Sequence, residues 1–237
     1  MNKTAVVTGA GQGLGLCFVK ECLKRGYNVI ALEFKDTSAL EGMDSDKLKI
    51  FRCDITDLKQ LADIKGKIGE IKLDLLINNA GVWLEKGRKK LEDEDFSFDN
   101  ILPQFETNAM GMLKVCKTFM PNVLESDLKT VINISSEAGS IKNAFRVSEY
   151  GYCMSKAALN VASKIMQNAY EKRGVKVYCF HPGWMQTSQG MAGAEGENKP
   201  NQSPQITAAV ILNIAEGERL PEMFYKINGK DISPYEW

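Results

Sequence analysis

Tyr152 and Lys156 stand four positions apart in Tyr152-Cys153-Met154-Ser155-Lys156, a spacing that sets both on one helical face about one turn from each other. A free phenol titrates at about pH 10, too high to serve as a base near neutrality. An ammonium beside it favours the tyrosinate and lowers that value, so the pair suits proton transfer to or from a substrate oxygen. Sixteen residues before the tyrosine, Ser136 closes the strand-like run Val131-Ile132-Asn133-Ile134-Ser135, where its hydroxyl could hold that oxygen. Two neighbours compete for these roles. Tyr150 has Met154, not a lysine, at i+4 and reads as a pocket-lining or packing residue. Ser135 would face the other way along the strand, and Ser136-x-x-Gly139 favours Ser136. His181, the only histidine, precedes Pro182 and reads as a cap or packing residue.

Upstream lies a nucleotide-type loop. Gly9, Gly13 and Gly15 fall between a short apolar run and a helical pattern, in the spacing Thr8-Gly9-x-x-x-Gly13-x-Gly15. Glycine there permits positive φ and close approach of a pyrophosphate, which the N–H groups of the following helix stabilise. Glu33 ends the next apolar run, 18 residues after Gly15, where a carboxylate can accept hydrogen bonds from a ribose diol and repel a 2′-phosphate. Gln12 within the loop is neutral and offers a phosphate no partner, whereas Lys35 could reach one. NAD is therefore expected over NADP. A hydride carried by such a cofactor, to or from a carbinol carbon, calls for the proton transfer that Tyr152 can perform.

The elements that must position these residues follow an alternating pattern. Short apolar runs at Thr4–Val7, Val29–Leu32, Leu48–Phe51, Leu73–Ile77, Val131–Ser135, Val175–Phe180 and Met223–Ile227 predict strands. Helical spacing predicts helices around Leu16–Leu23, Leu58–Ile68, Phe105–Phe119 and Ile206–Ala215, with Pro103 inside or just before the third. After Tyr150, Ala158, Val161, Ala162, Ile165 and Ala169 form an expected core-facing stripe. Trp83–Phe98 is dense in charge, Lys86 included, and reads as a solvated surface loop; Gly183–Pro204 reads as a flexible loop. Alternating strands and helices imply βαβ units, a parallel sheet and one domain over residues 1–237.

Composition excludes several classes. The 30 basic and 30 acidic residues cancel, so no net field invites nucleic acid or an anionic membrane. Six scattered cysteines without a Cys-x-x-Cys pair, beside a single histidine, form no usual zinc set and suit reduced thiols. No metal is expected. The opening residues enter a strand pattern directly, leaving no apolar stretch for a signal peptide, and no run approaches a membrane span. A cytoplasmic protein is expected.

The ordered set Thr8-Gly9-x-x-x-Gly13-x-Gly15, Asp54, Asn78-Asn79-Ala80-Gly81, Asn108, Ser136, Tyr152-x-x-x-Lys156 and Pro182-Gly183 with Thr187 resembles the classical short-chain dehydrogenase/reductase family over the whole chain. Within it, Tyr150-Gly151-Tyr152-x-Met154-Ser155-Lys156-Ala157-Ala158-Leu159-Asn160, His181-Pro182-Gly183-Trp184 and the final Trp237 are similar to the C-factor and sniffer-type carbonyl reductase branch. The resemblance implies a doubly wound Rossmann fold with helices on both faces of a seven-stranded parallel sheet. The implied strand order is 3-2-1-4-5-6-7, with homodimers or homotetramers as the usual assembly. The sixteen-residue step from Ser136 to Tyr152 exceeds the family's usual dozen or so, which implies a reshaped pocket.

Carried onto this chain, the resemblance implies a cofactor site of Gly9, Gln12, Gly13, Leu14, Gly15, Glu33, Asp54, Ile55, Asn79, Ala80, Gly81, Tyr152, Lys156, Pro182, Gly183 and Thr187. Asp54 would hold the adenine, although a strand-end aspartate capping the next helix fits the residue equally. Asn79, Ala80 and Gly81 would lie beside the adenosine ribose, and Thr187 would bond the nicotinamide carboxamide after Pro182 and Gly183 turn the chain. Lys156 would also bond the nicotinamide ribose, and Asn108 would support a water relaying protons from it. Residues 184–203 would cover a small or medium-sized alcohol or ketone. The implied activity is an NAD(P)-dependent oxidoreductase with Tyr152 as general acid/base. An NAD(H)-binding signalling or sensor protein of C-factor type, with little turnover, is the alternative. An extended-family epimerase needs more chain than follows Gly183.

Overall fold

Ala5 and Val7 enter one apolar cluster and Val6 the other, so β1 (Thr4–Thr8) is buried along its whole length between two layers. That is the signature of a parallel strand covered on both faces. The computed structural model describes residues 3–85, 87–194 and 196–237. Lys86 of the charged segment, Glu195 of the 184–203 loop and the first two residues lie outside the described residues. The order after β1 is α1 (Gly13–Lys24), β2 (Asn28–Glu33), α2 (Ser38–Glu41), β3 (Leu48–Arg52), α3 (Leu58–Ile68) and β4 (Leu75–Asn78). Next come α4 (Ile101–Phe105), a π turn (Glu106–Gly111), α5 (Met112–Leu124), β5 (Thr130–Ile134) and α6 (Tyr150–Tyr170). The chain closes with β6 (Lys176–His181), α7 (Ser188–Ala192), α8 (Pro204–Glu216), β7 (Phe224–Asn228) and β8 (Asp231–Pro234).

The sheet runs β3-β2-β1-β4-β5-β6-β7-β8. β1 pairs in parallel with both β2 and β4, so the strand order reverses there and opens a crevice at the carboxyl ends. Phe18 and Cys22 of α1 and Ile211 and Leu212 of α8 cover one face; Leu61 of α3, Phe119 of α5 and Leu159 of α6 cover the other. The architecture is a single doubly wound α/β domain.

Four expectations change. Among the described residues the sheet has eight strands, not seven, because β8 folds back antiparallel on β7. Its sequence, Asp-Ile-Ser-Pro, is exposed throughout and carries no buried alternation to signal a strand. Gly229, at φ +61°, opens the two-residue turn that joins them. Residues 184–203 are not featureless: Gln186 N donates to Gln202 O and Gln202 N to Trp184 O, and Thr187 Oγ1 caps α7 by accepting from Gly190 N at 3.1 Å. The core face of α6 is Ser155, Leu159, Ser163 and Met166, whereas Val161 and Ile165 are 61% and 63% exposed. Polar side chains take the inner face because each finds a partner there, such as Asn133 Nδ2 donating to Ser163 Oγ at 2.8 Å. Finally, Glu85 belongs to the fold and not to a solvated loop. Its carboxylate accepts from Gly151 N, Tyr152 N and Gln104 Nε2. Pro103 lies in the first turn of α4, where a missing N–H costs no helical bond.

Candidate active site

The loop from β1 into α1 is shaped by contacts that exclude side chains. A Cβ at Gly15 would stand 1.9 Å from Gly9 O and 2.6 Å from Asn79 Nδ2. Gly9 and Gly13 take φ of +60° and +53°, values that favour glycine. Asn79 Nδ2 donates to Thr8 O and Gly9 O at 3.0 Å each, while Asn79 N and Ala80 N donate to Thr8 Oγ1, so the end of β4 clamps the loop. Gln12 is the N-cap position of α1, and Leu14 is buried behind it. Glu33, also buried, accepts from Gly11 N at 2.7 Å and from Phe34 N and Lys35 N, which fixes a carboxylate at the edge of this cradle. A glycine cradle at a helix N-terminus with an acidic residue at its rim fits a dinucleotide.

Asp54 does not cap α3; Asp57 does, accepting from Lys59 N and Gln60 N. Asp54 Oδ1 instead holds Thr56 N and Thr56 Oγ1, and the neighbouring Ile55 packs under Gly111 of the π turn. Thr187 comes within reach of the glycine loop: a Cβ on Gly13 would meet Thr187 Cγ2 at 3.2 Å. Pro182 and Gly183 follow β6, with Gly183 at φ +78° against Ile227 O and Gln202.

The side chains singled out for acid–base work converge where β4, β5 and α6 meet. Asn108 sits in the π turn between α4 and α5, a distortion frequent at functional sites. Its Oδ1 accepts from Val82 N at 2.7 Å, and its Nδ2 donates to Val82 O and Ser155 Oγ. Gly81 lies between Asn108 and Lys156: a Cβ there would be 3.1 Å from Asn108 Oδ1 and 3.4 Å from Lys156 Nζ. Buried Lys156 donates to Ile134 O at 2.9 Å and stands 5.9 Å from the centroid of the Tyr152 ring. Ser135 Oγ turns to Asn160 at 2.6 Å, whereas Ser136 Oγ turns to the tyrosine's side of the sheet. Tyr150 packs edge-on against Phe96 at 5.8 Å.

Sequence reasoning missed a charged cluster behind Ser136. Ser136 Oγ donates to Glu137 Oε2 at 2.6 Å, and Arg146 pairs with both Glu137 and Glu149. The Arg146 guanidinium carbon lies 5.8 Å from the Tyr152 ring centroid. His181 Nδ1 is 3.3 Å from Glu137 Oε2 without the alignment of a hydrogen bond. Glu149 holds φ +68° at the N-cap of α6, a left-handed conformation costly for a non-glycine residue and secured by its ion pair. The only sequence signal was the unusual length of the Ser136-to-Tyr152 segment.

These charges set the titrations. Burial pushes the Tyr152 phenol up to about 12, Glu137 reinforcing and Ser136 and Arg146 opposing. The lowering expected from Lys156 does not govern the phenol here; burial does. Burial lowers Lys156 to about 8. Burial acts to raise Glu137, but His181, Arg146 and the Ser136 hydroxyl prevail and bring it to about 2. Burial likewise lowers His181, leaving it neutral near pH 7. Among the described residues no group of three or more His, Cys, Asp or Glu is placed to hold a metal ion, and no helix is long and apolar enough to cross a membrane.

The family model described as short chain dehydrogenase matches residues 3–198. An uncharacterized oxidoreductase of Schizosaccharomyces pombe is 29% identical over 99% of this chain and 98% of its own. The C-signal of Myxococcus xanthus is 35% identical over 50% of this chain and 69% of its own. The crystal structure of NADPH-bound carbonyl reductase from chicken fatty liver superposes with a TM-score of 0.83 at 24% identity, covering 100% of this chain and 99% of the other.

Proposed function

The chain belongs to the short chain dehydrogenase family, and within it we propose that this nicotinamide-dependent oxidoreductase interconverts a small or medium-sized ketone and its secondary alcohol, favouring reduction. The observation that carries this reading is the convergence of Tyr152, Lys156 and Asn108 where β4, β5 and α6 meet, with Ser136 at the end of β5. The Tyr152 phenol, which burial raises to about 12, lies beside the Ser136 hydroxyl and one helical turn from Lys156. A protonated phenol is poised to give its proton to a carbonyl oxygen as that oxygen gains charge. When bound, the nicotinamide supplies the hydride. Ser136 orients the reacting oxygen, Tyr152 donates the proton, and Lys156 bonds the nicotinamide ribose while Asn108 holds the Val82 backbone that borders the relay.

Gly9, Gln12, Gly13, Leu14 and Gly15 hold the pyrophosphate, Glu33 the adenosine ribose, and Asp54 and Ile55 the adenine. Asn79, Ala80, Gly81, Pro182, Gly183 and Thr187 flank the rest of the cofactor, and residues 184–203 cover the substrate. The anchored carboxylate of Glu33 supports NAD over NADP, because a 2′-phosphate would meet like charge. The NADPH of the chicken carbonyl reductase argues the other way, and Lys35 is the residue through which this chain could follow it. Exposed Val161 and Ile165 on α6, with Met110 and Leu113 on the neighbouring π turn and α5, support a homodimer or homotetramer. Six unpaired cysteines suit a reducing compartment, and we assign the protein to the cytoplasm.

Similarity to the C-signal over half the chain favours a second reading, a sensor that binds NAD(H) and turns over little. Titration of NAD and NADP, followed by nicotinamide absorbance with a panel of ketones and secondary alcohols, separates the two. Turnover of at least one carbonyl is expected. Tight cofactor binding with no turnover across the panel replaces the reductase with the sensor.

A further inference from the structure

Glu137 has no role in the chemistry described above, yet it is the hub of the polar contacts on the substrate side. Its Oε2 accepts the Ser136 hydroxyl proton at 2.6 Å and lies 3.3 Å from His181 Nδ1, while its Oε1 receives Arg146. Ser136 Oγ also accepts from Ala138 N at 3.2 Å, so its proton and one lone pair are engaged within this cluster. Arg146 reaches over the Tyr152 ring and joins Glu137 to Glu149. Within this cluster two carboxylates share one guanidinium, and His181, lowered by burial, adds no charge near pH 7.

We propose that Glu137 is a positioning residue of the reduction: its carboxylate anchors the Ser136 side chain and, with Arg146 as counterweight, keeps Tyr152 in its proton-donating form. The inference rests on the reading of Tyr152 as the acid. A tyrosinate formed beside Glu137 would be repelled by it and attracted by Arg146, so the two partners of one ion pair act on the phenol with opposite sign. Among the described residues, further charged or titratable groups face the pair. From α6 these are Lys156, engaged by Ile134 O, and the Cys153 thiol, which burial pushes up to about 11. From the segment after β4, Glu85 is bound to the α6 N-terminus. From the loop before α6 comes Glu149, paired with Arg146. From β6 comes His181, on which Lys226 of β7 also acts, and from the chain after β8 comes the Tyr235 phenol, which burial raises.

The opposite signs are the test. Tyrosinate absorbance at ~295 nm, read by stopped-flow pH jump as the difference between each protein and its Tyr152→Phe counterpart, reports the midpoint of Tyr152 alone. Glu137→Gln should move that midpoint to lower pH by about one unit, and Arg146→Met should move it to higher pH by a similar amount. A merely structural pair would move neither, or both the same way, and either result overturns the proposal. Each variant alone tests the sign, so misfolding of one leaves the proposal exposed to the other. The readout needs no turnover. Loss of catalysis by Tyr152→Phe without opposite shifts would sink the role of Glu137 alone. Opposite shifts in a protein that reduces nothing would sink the reductase and leave the electrostatics standing.

Discussion

The two ends of this crevice, the one proposed for the cofactor and the one proposed for the substrate, are built from different materials. At the cofactor end the shape is made by backbone. Gly15 lies where a Cβ would be 1.9 Å from a carbonyl oxygen, Gly9 and Gly13 take positive φ, and Asn79 ties the loop to β4. At the substrate end the work is done by side chains that travel far to meet. Glu85 caps a helix 66 positions away, and Ser136, Glu137, Arg146, Glu149 and His181 assemble around Tyr152 from three segments. Backbone geometry tolerates almost no substitution and serves any dinucleotide of the right shape. An ion cluster can be retuned residue by residue, which lets one scaffold serve different reactions.

The largest effect expected from this contrast is at Gly15. Gly15→Ala must displace the Gly9 carbonyl, and we expect cofactor affinity to fall by about a hundredfold or more, equivalent to about 2.7 kcal/mol. Fluorescence titration with NADH and NADPH measures it; unchanged affinity would mean that the cradle is softer than its contacts indicate. Next in size is the acid stability that Glu137 confers. Its folded value of about 2 lies below the ordinary 4.5, so its stabilisation is present above pH 4.5 and is lost as pH falls through about 2. Wild type should exceed Glu137→Gln by on the order of 2 kcal/mol at neutral pH, where Arg146 and Ser136 act on the carboxylate and the neutral His181 does not. The gap between their urea midpoints should close below about pH 4.5. A gap independent of pH would locate the effect in packing and not in charge. The smallest effect is at the rim of the cradle. Glu33→Gln should raise the affinity for NADP relative to NAD by about tenfold, the worth of a single close charge. Ratios of the two affinities in wild type and variant measure it.

The two ends also differ in how much of them could be read from sequence. Glycine spacing, Glu33, and the Tyr152–Lys156 step are local signals, and the seven parallel strands follow their expected order because each is an apolar run between helices. The eighth strand escaped because Asp231–Pro234 is short, exposed and ends in proline. The inner face of α6 was misread because Ser155, Ser163 and Gln167 occupy it, each hydrogen-bonded, while Val161 and Ile165 point outward. Periodicity reports polarity, and it cannot distinguish a buried serine with a partner from an exposed one. Arg146 and Glu149 look like any loop charges until Glu137 is brought beside them, and Glu85 lay within a run of charge that reads as solvated. Such partners are set by tertiary contact and leave no pattern in the chain.

The central claim is that Tyr152 gives the proton. The most direct measurement is kcat/KM of Tyr152→Phe against wild type, at saturating levels of the preferred cofactor, on whichever ketone wild type reduces best. We expect a loss of about 10²- to 10⁴-fold with cofactor affinity unchanged. Wild-type activity in Tyr152→Phe would contradict the account.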